Sequence, residues 1–209
     1  IEKTSKLIDS KKKSLTIISN KINDKRIDAI PKIELELKSL VLKLGMKNAS
    51  FKLNLTESDD FNEFGKNNLE LLFSSNTGSS HKLIKKAVSG GELSRIMLSI
   101  KFMISKFSKL PTIIFDEIDT GVSGSVANEI GMLMKEMSES TQVFTITHIP
   151  QVAARGTNHI KVFKRIIKSK TVTNLKNLNN QEREDEIALM LSGKKMTISA
   201  LEHARELLD

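Results

Sequence analysis

The sequence has no cysteine, so neither a disulfide framework nor a thiolate metal site can be built from it, which suits a reducing cytosol. Tryptophan and tyrosine are also absent, and nine phenylalanines make up the whole aromatic content, which argues against a base-stacking platform for single-stranded nucleic acid. No apolar run approaches the roughly 20 residues that span a bilayer, and the first residues do not have a signal peptide's layout, so no membrane partner is expected. The chain opens on Ile1 rather than Met and reads as a piece of a longer polypeptide. Its 209 residues suit one compact lobe with an appendage.

Charge is plentiful but uneven. The net charge is +8. Residues 1–48 hold twelve Lys or Arg against six Asp or Glu, and residues 155–176 hold seven basic residues and no acid, so the remainder is net acidic. A surface that touches nucleic acid has this polarity, and so do solvated lysines on a helix or hairpin.

Residues 1 to about 44 lack glycine, and Ile18, Ile22, Ile33, Leu37, Leu40 and Leu44 recur at helical steps. Pro31 inside that stretch predicts a kink or a break between two helices, and Gly45 a stop. From Phe51 the period becomes two, with Leu53 and Leu55 following; a turn is expected at Glu57–Asp60 and a second strand at Leu69–Phe73. Ser74–Ser80 reads as a loop. Leu93, Ile96, Met97, Ile100, Met103, Ile104 and Phe107 draw an apolar helical stripe. Thr112–Phe115 and Gln142–Ile146 read as strands buried on both faces. Val126, Ile130, Leu133 and Met137 form a helix between them, a parallel βαβ unit. His159–Phe163 and Thr171–Leu175 suggest a hairpin, and Glu182–Leu191 and Thr197–Leu208 two closing helices. The expected domains are a helical segment, 1–48, and an α/β lobe, 49–209.

Three groups of residues carry candidate chemistry. Ser89, Gly90, Gly91 and Glu92 stand where the striped helix begins; two glycines let a ligand approach the backbone, and the free N–H groups and positive dipole end form an anion site. An ordinary helix start capped by serine would look the same. Asp116 and Glu117 end the first buried strand, at the sheet edge where open α/β sheets bind ligands, and adjacent side chains point to opposite sides, one toward a metal and one toward a water. Charged residues also simply mark a strand leaving the core. His148, after the second strand, can contact a phosphate oxygen or cap the strand.

The order of these groups resembles the C-terminal half of ABC ATPases: signature, Walker B, D-loop with Asp119, and switch histidine. The segments SGGELSRIMLSIK (Ser89–Lys101), IIFDEIDTGVSG (Ile113–Gly124), STQVFTITHIPQVAARG (Ser140–Gly156) and EIALMLSG (Glu186–Gly193) are similar to the RecN family of bacterial SMC-like DNA-repair ATPases, from about Leu35 onward. The resemblance implies an α/β fold, the C-terminal part of a P-loop ATPase head, with residues 1–48 at the base of a descending coiled-coil arm. It implies that Ser89, Gly90 and Gly91 bind the γ-phosphate of an ATP held by a second head and that Asp116 holds Mg²⁺ through water. Glu117 would polarise the attacking water, Asp119 would lie at the dimer seam, and His148 would sense the γ-phosphate. Glu92 and Arg95, on the signature helix, would contact nucleotide or partner.

No GxxxxGK[ST] loop occurs; at Gly193-Lys194-Lys195 the first glycine is replaced by Ala188 and the final Ser or Thr is missing. In this family that loop lies in the N-terminal half of the head, so the implied partners are that half, a second copy, DNA and a recombinase, in the cytoplasm with the nucleoid. The isolated chain is expected to be inactive. A transporter nucleotide-binding domain is the alternative, disfavoured because helix and a short β region occupy the place of its upstream phosphate loop. A non-catalytic DNA-binding or dimerisation module is a further one.

Overall fold

Residues Glu2–Lys43 form one helix, α1, in the computed structural model of the chain. The structure describes residues 2–209 except Lys109, Glu117, Thr120, Ser123, Lys168, Ser169 and Lys194, and the side chains of Lys86, Ala87 and Ile167. Of the kink or break expected at Pro31, the break does not occur, because α1 continues through it. Proline removes one donor from the ladder, and the hydrogen-bonded turns on either side carry the helix across. Gly45, at φ +83°, ends it. Gly45 N–H bonds to Leu42 C=O (3.1 Å) and Met46 N–H to Val41 C=O (2.9 Å), the paired bonds of a left-handed helix stop that only glycine adopts without strain.

The chain divides into two compact units, residues 1–93 and 94–209. In the first, α1 packs against the strands β1 (Ser50–Asn62) and β2 (Gly65–Ser74). Leu37, Leu40, Val41 and Leu44 recur every three or four residues and are buried, as are Phe51 and Phe73, which face each other across the antiparallel pair with ring centroids 5.3 Å apart. The turn expected at Glu57–Asp60 is instead part of β1, and the chain reverses at Glu63–Phe64, where Phe64 N–H bonds to Asn62 Oδ1 (2.8 Å). An Asx side chain that imitates a backbone turn outweighs the polar composition upstream. A polar ladder joins the hairpin to α1. Ser19 Oγ accepts Lys66 N–H (3.1 Å), Asn23 Oδ1 accepts from Asn67 (3.0 Å), Arg26 reaches Asn67 Oδ1 (3.2 Å) and Phe64 C=O (2.8 Å), and Glu34 accepts Leu53 N–H (2.6 Å). The short strand β3 (Lys82–Leu83) adds to β2 and leads through α2 (Ile84–Ala87) to α3 (Gly90–Phe107).

The second unit contains most of α3 and the expected βαβ unit: β4 (Thr112–Asp116), α4 (Gly124–Ser138) and β5 (Gln142–Ile146), with parallel rungs from Thr112↔Gln142 to Asp116↔Ile146. Two expectations fail here. The strands are not buried on both faces: Ile113 and Phe115 point inward, whereas Ile114, Phe144 and Ile146 are 66%, 46% and 57% exposed. Among the described residues, one face of the sheet is covered and Ile114, Phe144 and Ile146 on the other are not. The buried side of α3 also differs from the stripe, because Leu98, Ser99, Phe102 and Ser105 join Ile96 and Met103 inside, while Met97, Ile104 and Phe107 face outward. Ser99 and Ser105 bond back to Arg95 C=O (3.0 Å) and Phe102 C=O (2.7 Å), so their hydroxyls are satisfied within the helix and tolerate burial.

After α5 (Pro150–Ala153), β6 (Ile160–Ile167) and β7 (Lys170–Asn177) form an antiparallel pair, followed by α6 (Asn180–Ser192) and α7 (Ile198–Leu208). The two closing helices pack through Ile187, Ala188, Ala200 and Ala204, with Ala154 in the same cluster. Asn179 and Glu182 form a reciprocal capping box at the start of α6.

Candidate nucleotide site

The first group of site residues is built by the start of α3. Ser89 is the cap, and Glu92, three residues on, reaches back to it: Glu92 Oε2 accepts from Ser89 N–H (2.9 Å) and from Ser89 Oγ–H (2.9 Å), while Ser89 C=O accepts Leu93 N–H (2.9 Å). The pattern Ser-x-x-Glu carries this capping box in the sequence. Glu92 therefore organises the cap. Gly90 is exposed, and a Cβ added there would meet nothing within 4 Å. Its lack of a side chain therefore answers no packing need among the described residues.

The second group lies at the C-terminal ends of the parallel strands. Asp116 ends β4 with an exposed carboxylate, paired in register with Ile146. His148, two residues beyond β5, is exposed at the same end. Glu117 lies outside the described residues. Asp119 is 0% exposed, and its Oδ2 accepts a hydrogen bond from the Thr147 hydroxyl. The turn that begins at Asp119 is closed by Val122 N–H to Asp119 C=O (3.3 Å), with Gly121 at φ +76°. A left-handed third position in such a turn calls for glycine. Thr147 is not singled out by the sequence, since a threonine ending a strand carries no signal of its own. Among the described residues no three His, Cys, Asp or Glu gather as a ready metal cage. Arg95 Nε is buried without a hydrogen-bond partner among the described residues.

The basic segment 155–176 is not uniform. Lys161 pairs with Glu186 and Lys176 with Glu182, both acids of α6, and Arg155 donates to Asn128 Oδ1 (3.2 Å). Lys164, Arg165 and Lys170 are exposed, with the Arg165 guanidinium 4.9 Å from the centre of the Phe163 ring, and Lys168 lies outside the described residues. His159 sits beside these pairs, and burial, followed by the nearby Arg183 cation, holds its pKa below the usual value. Among the described residues no helix is long and apolar enough to cross a membrane.

No family model matches the chain. Among curated proteins it is 41% identical over 189 residues to the DNA repair protein RecN of Rickettsia bellii, covering 90% of this chain and 34% of that protein. It is 40% identical to RecN of Haemophilus influenzae (81% and 30% covered) and 38% identical to RecN of Bacillus subtilis (84% and 32%). The chain thus spans about a third of the length of the curated relatives it matches. Among solved structures, the Smc head domain with a coiled coil and joint from Pyrococcus yayanosii aligns with TM-score 0.63 at 23% identity, covering 93% of this chain and 36% of that one. A structure from work on ATP-driven dimerization and DNA-stimulated activation of SMC ATPases aligns with TM-score 0.54 at 24% identity, covering 82% and 98%.

Proposed function

Since the chain belongs to the RecN family and has the fold of the C-terminal part of an SMC-like head, we propose that it supplies half of an ATPase site that acts in DNA double-strand break repair and recombination. The observation that carries this reading is the strand-end pair, Asp116 at the end of one parallel strand and His148 just past its neighbour. The residues suit the ligands. Ser89, Gly90 and Gly91 stand at the positive dipole end of α3, which suits a γ-phosphate, and Asp116 offers a hard, solvent-facing oxygen to Mg²⁺, through water. Bound Mg²⁺ supplies neutralisation of the phosphate charge. Glu117 is the general base that orients the attacking water, and His148 senses the γ-phosphate.

The phosphate loop comes from the N-terminal half of the head. The exposed apolar face of Ile114, Phe144 and Ile146 supports that assignment, because parallel strands in α/β proteins are ordinarily covered on both sides. The signature group serves a second copy of the head, so that ATP clamps two heads together and hydrolysis releases them, timing the hold on DNA. The setting is the cytoplasm with the nucleoid, and a recombinase is the further partner. The test combines this chain with the missing N-terminal half and measures particle size with and without ATP. ATP-dependent dimers that hydrolyse ATP support the reading; monomers under both conditions, without hydrolysis, would refute it.

A further inference from the structure

The loops beyond β4 and β5 are tied together by one side-chain contact, and its polarity is fixed by its surroundings. Thr147 Oγ1 accepts Ile149 N–H (2.9 Å), so the hydroxyl proton is directed at Asp119 Oδ2. Asp119 is wholly buried, and its other oxygen, Oδ1, has no partner among the described residues. Thr147 is therefore the single side-chain donor to a buried carboxylate among those residues. His148 lies between two anchored neighbours: Thr147 is held through its hydroxyl, and Ile149 is buried and held through its N–H, while the imidazole itself is exposed. The last backbone rung of the sheet joins Asp116 to Ile146. The Asp119–Thr147 bond acts as one more rung, made by side chains, beyond the point where the ladder ends.

We propose that Thr147, through Asp119, is the positioning residue that fixes His148 relative to the Asp116 end of the site. The proposal rests on the ATPase reading above and adds a specific residue to it. Thr147 touches no nucleotide; it sets the distance between the two strand-end loops, and a displacement of about 1 Å in a reacting constellation costs on the order of 10²-fold in rate.

The experiment uses the full-length protein and compares Thr147→Ser, Thr147→Val and the double variant Asp119→Leu/Thr147→Val. Valine keeps the shape without the hydroxyl and leaves the carboxylate buried alone. The double variant removes the carboxylate together with its donor, so that no charge is left buried alone, while Ile149 N–H loses its acceptor as it does in Thr147→Val. Serine should keep turnover within about threefold, while valine and the double variant should lower kcat at least about tenfold with KM for ATP nearly constant. The double variant should do so with a melting temperature above that of Thr147→Val. Wild-type kcat in the double variant, or equal losses in Ser and Val, would overturn the positioning role. A kcat loss matched by an equal loss of thermal stability in every variant would overturn it too, by assigning the contact to folding alone. Absence of hydrolysis by the unmodified protein would instead bring down the ATPase reading on which the proposal rests.

Discussion

Glu92 accepts two hydrogen bonds from a single residue, Ser89, one from the backbone N–H and one from the hydroxyl, each 2.9 Å long. The serine that the family resemblance assigns to a γ-phosphate is thus organised by a carboxylate of the same helix turn. Replacing either residue by Ala should cost about 1 kcal/mol of stability, the usual size of a lost cap. Because both residues make the same interaction, the double replacement should cost little more than either alone. Chemical denaturation of the four proteins measures this, and full additivity would contradict the coupling.

The chain by itself should show no Mg²⁺-dependent ATPase activity, because the loop and lysine that supply much of a nucleotide's phosphate binding are absent from its sequence. Phosphate release by the purified polypeptide, compared with its Glu117→Gln variant to exclude contaminants, is the measurement.

In the complete head, Glu117→Gln should lower hydrolysis by about 10² or more while ATP-driven dimers persist or last longer. Asp116→Asn should weaken both Mg²⁺ placement and closure. Ser89→Arg should leave ATP on its own head yet block the second head, so that dimers and hydrolysis are lost together. Light scattering with ATP beside a turnover assay separates the three patterns. Normal hydrolysis by Glu117→Gln, or dimers formed by Ser89→Arg, would remove these residues from a shared site.

If the β6–β7 hairpin touches DNA, its basic residues should not contribute alike. Neutralising Lys164, Arg165 and Lys170, which are exposed, should flatten the salt dependence of binding by a slope of about 0.9 for each DNA phosphate no longer engaged. Neutralising Lys161 and Lys176, already paired with Glu186 and Glu182, should leave the slope nearly unchanged. Binding isotherms at several salt concentrations decide it, and equal slopes throughout would mark the hairpin as a solvated surface.

Acid should destabilise the second unit through His159. Its pKa is held below the ordinary 6.5, first by burial, then by Arg183 and more weakly by Lys161, against the opposing pull of Glu186. The folded state therefore binds a proton less readily than the unfolded chain. The stability due to the neutral ring is complete above about 6.5 and declines as pH falls from there toward the lowered folded value. Melting between pH 8 and 5 should show that decline, and His159→Gln should reduce it.

The parts legible in the sequence were those set by local chemistry. Gly45 as a helix stop, the βαβ period, and the strand-end positions of Asp116 and His148 follow from spacing and residue type, and the structure has each of them. What the sequence concealed depends on partners distant along the chain. Asp119 looks like any surface aspartate until Thr147, 28 residues later, is seen to receive it. The strands Thr112–Asp116 and Gln142–Ile146 read as buried on both faces because their composition suits a layer that this chain does not itself contain. The stripe on α3 misled for a related reason: its outward residues are as apolar as its inward ones, and periodicity alone does not say which side meets the core.

Pro31 lies between two of the contacts that join α1 to the β1–β2 hairpin, Arg26 on one side and Glu34 on the other. Proline is where a long helix bends most easily, and here the weak point is spanned, over the roughly 12 Å that eight helical residues occupy, by a strand pair attached above and below it. The hairpin works as a splint. A torque applied toward the N-terminal end of α1 cannot dissipate as bending at Pro31 while those attachments hold; the β1–β2 pair must bear it too, and β2 is the strand to which β3 is paired, a few residues ahead of Ser89.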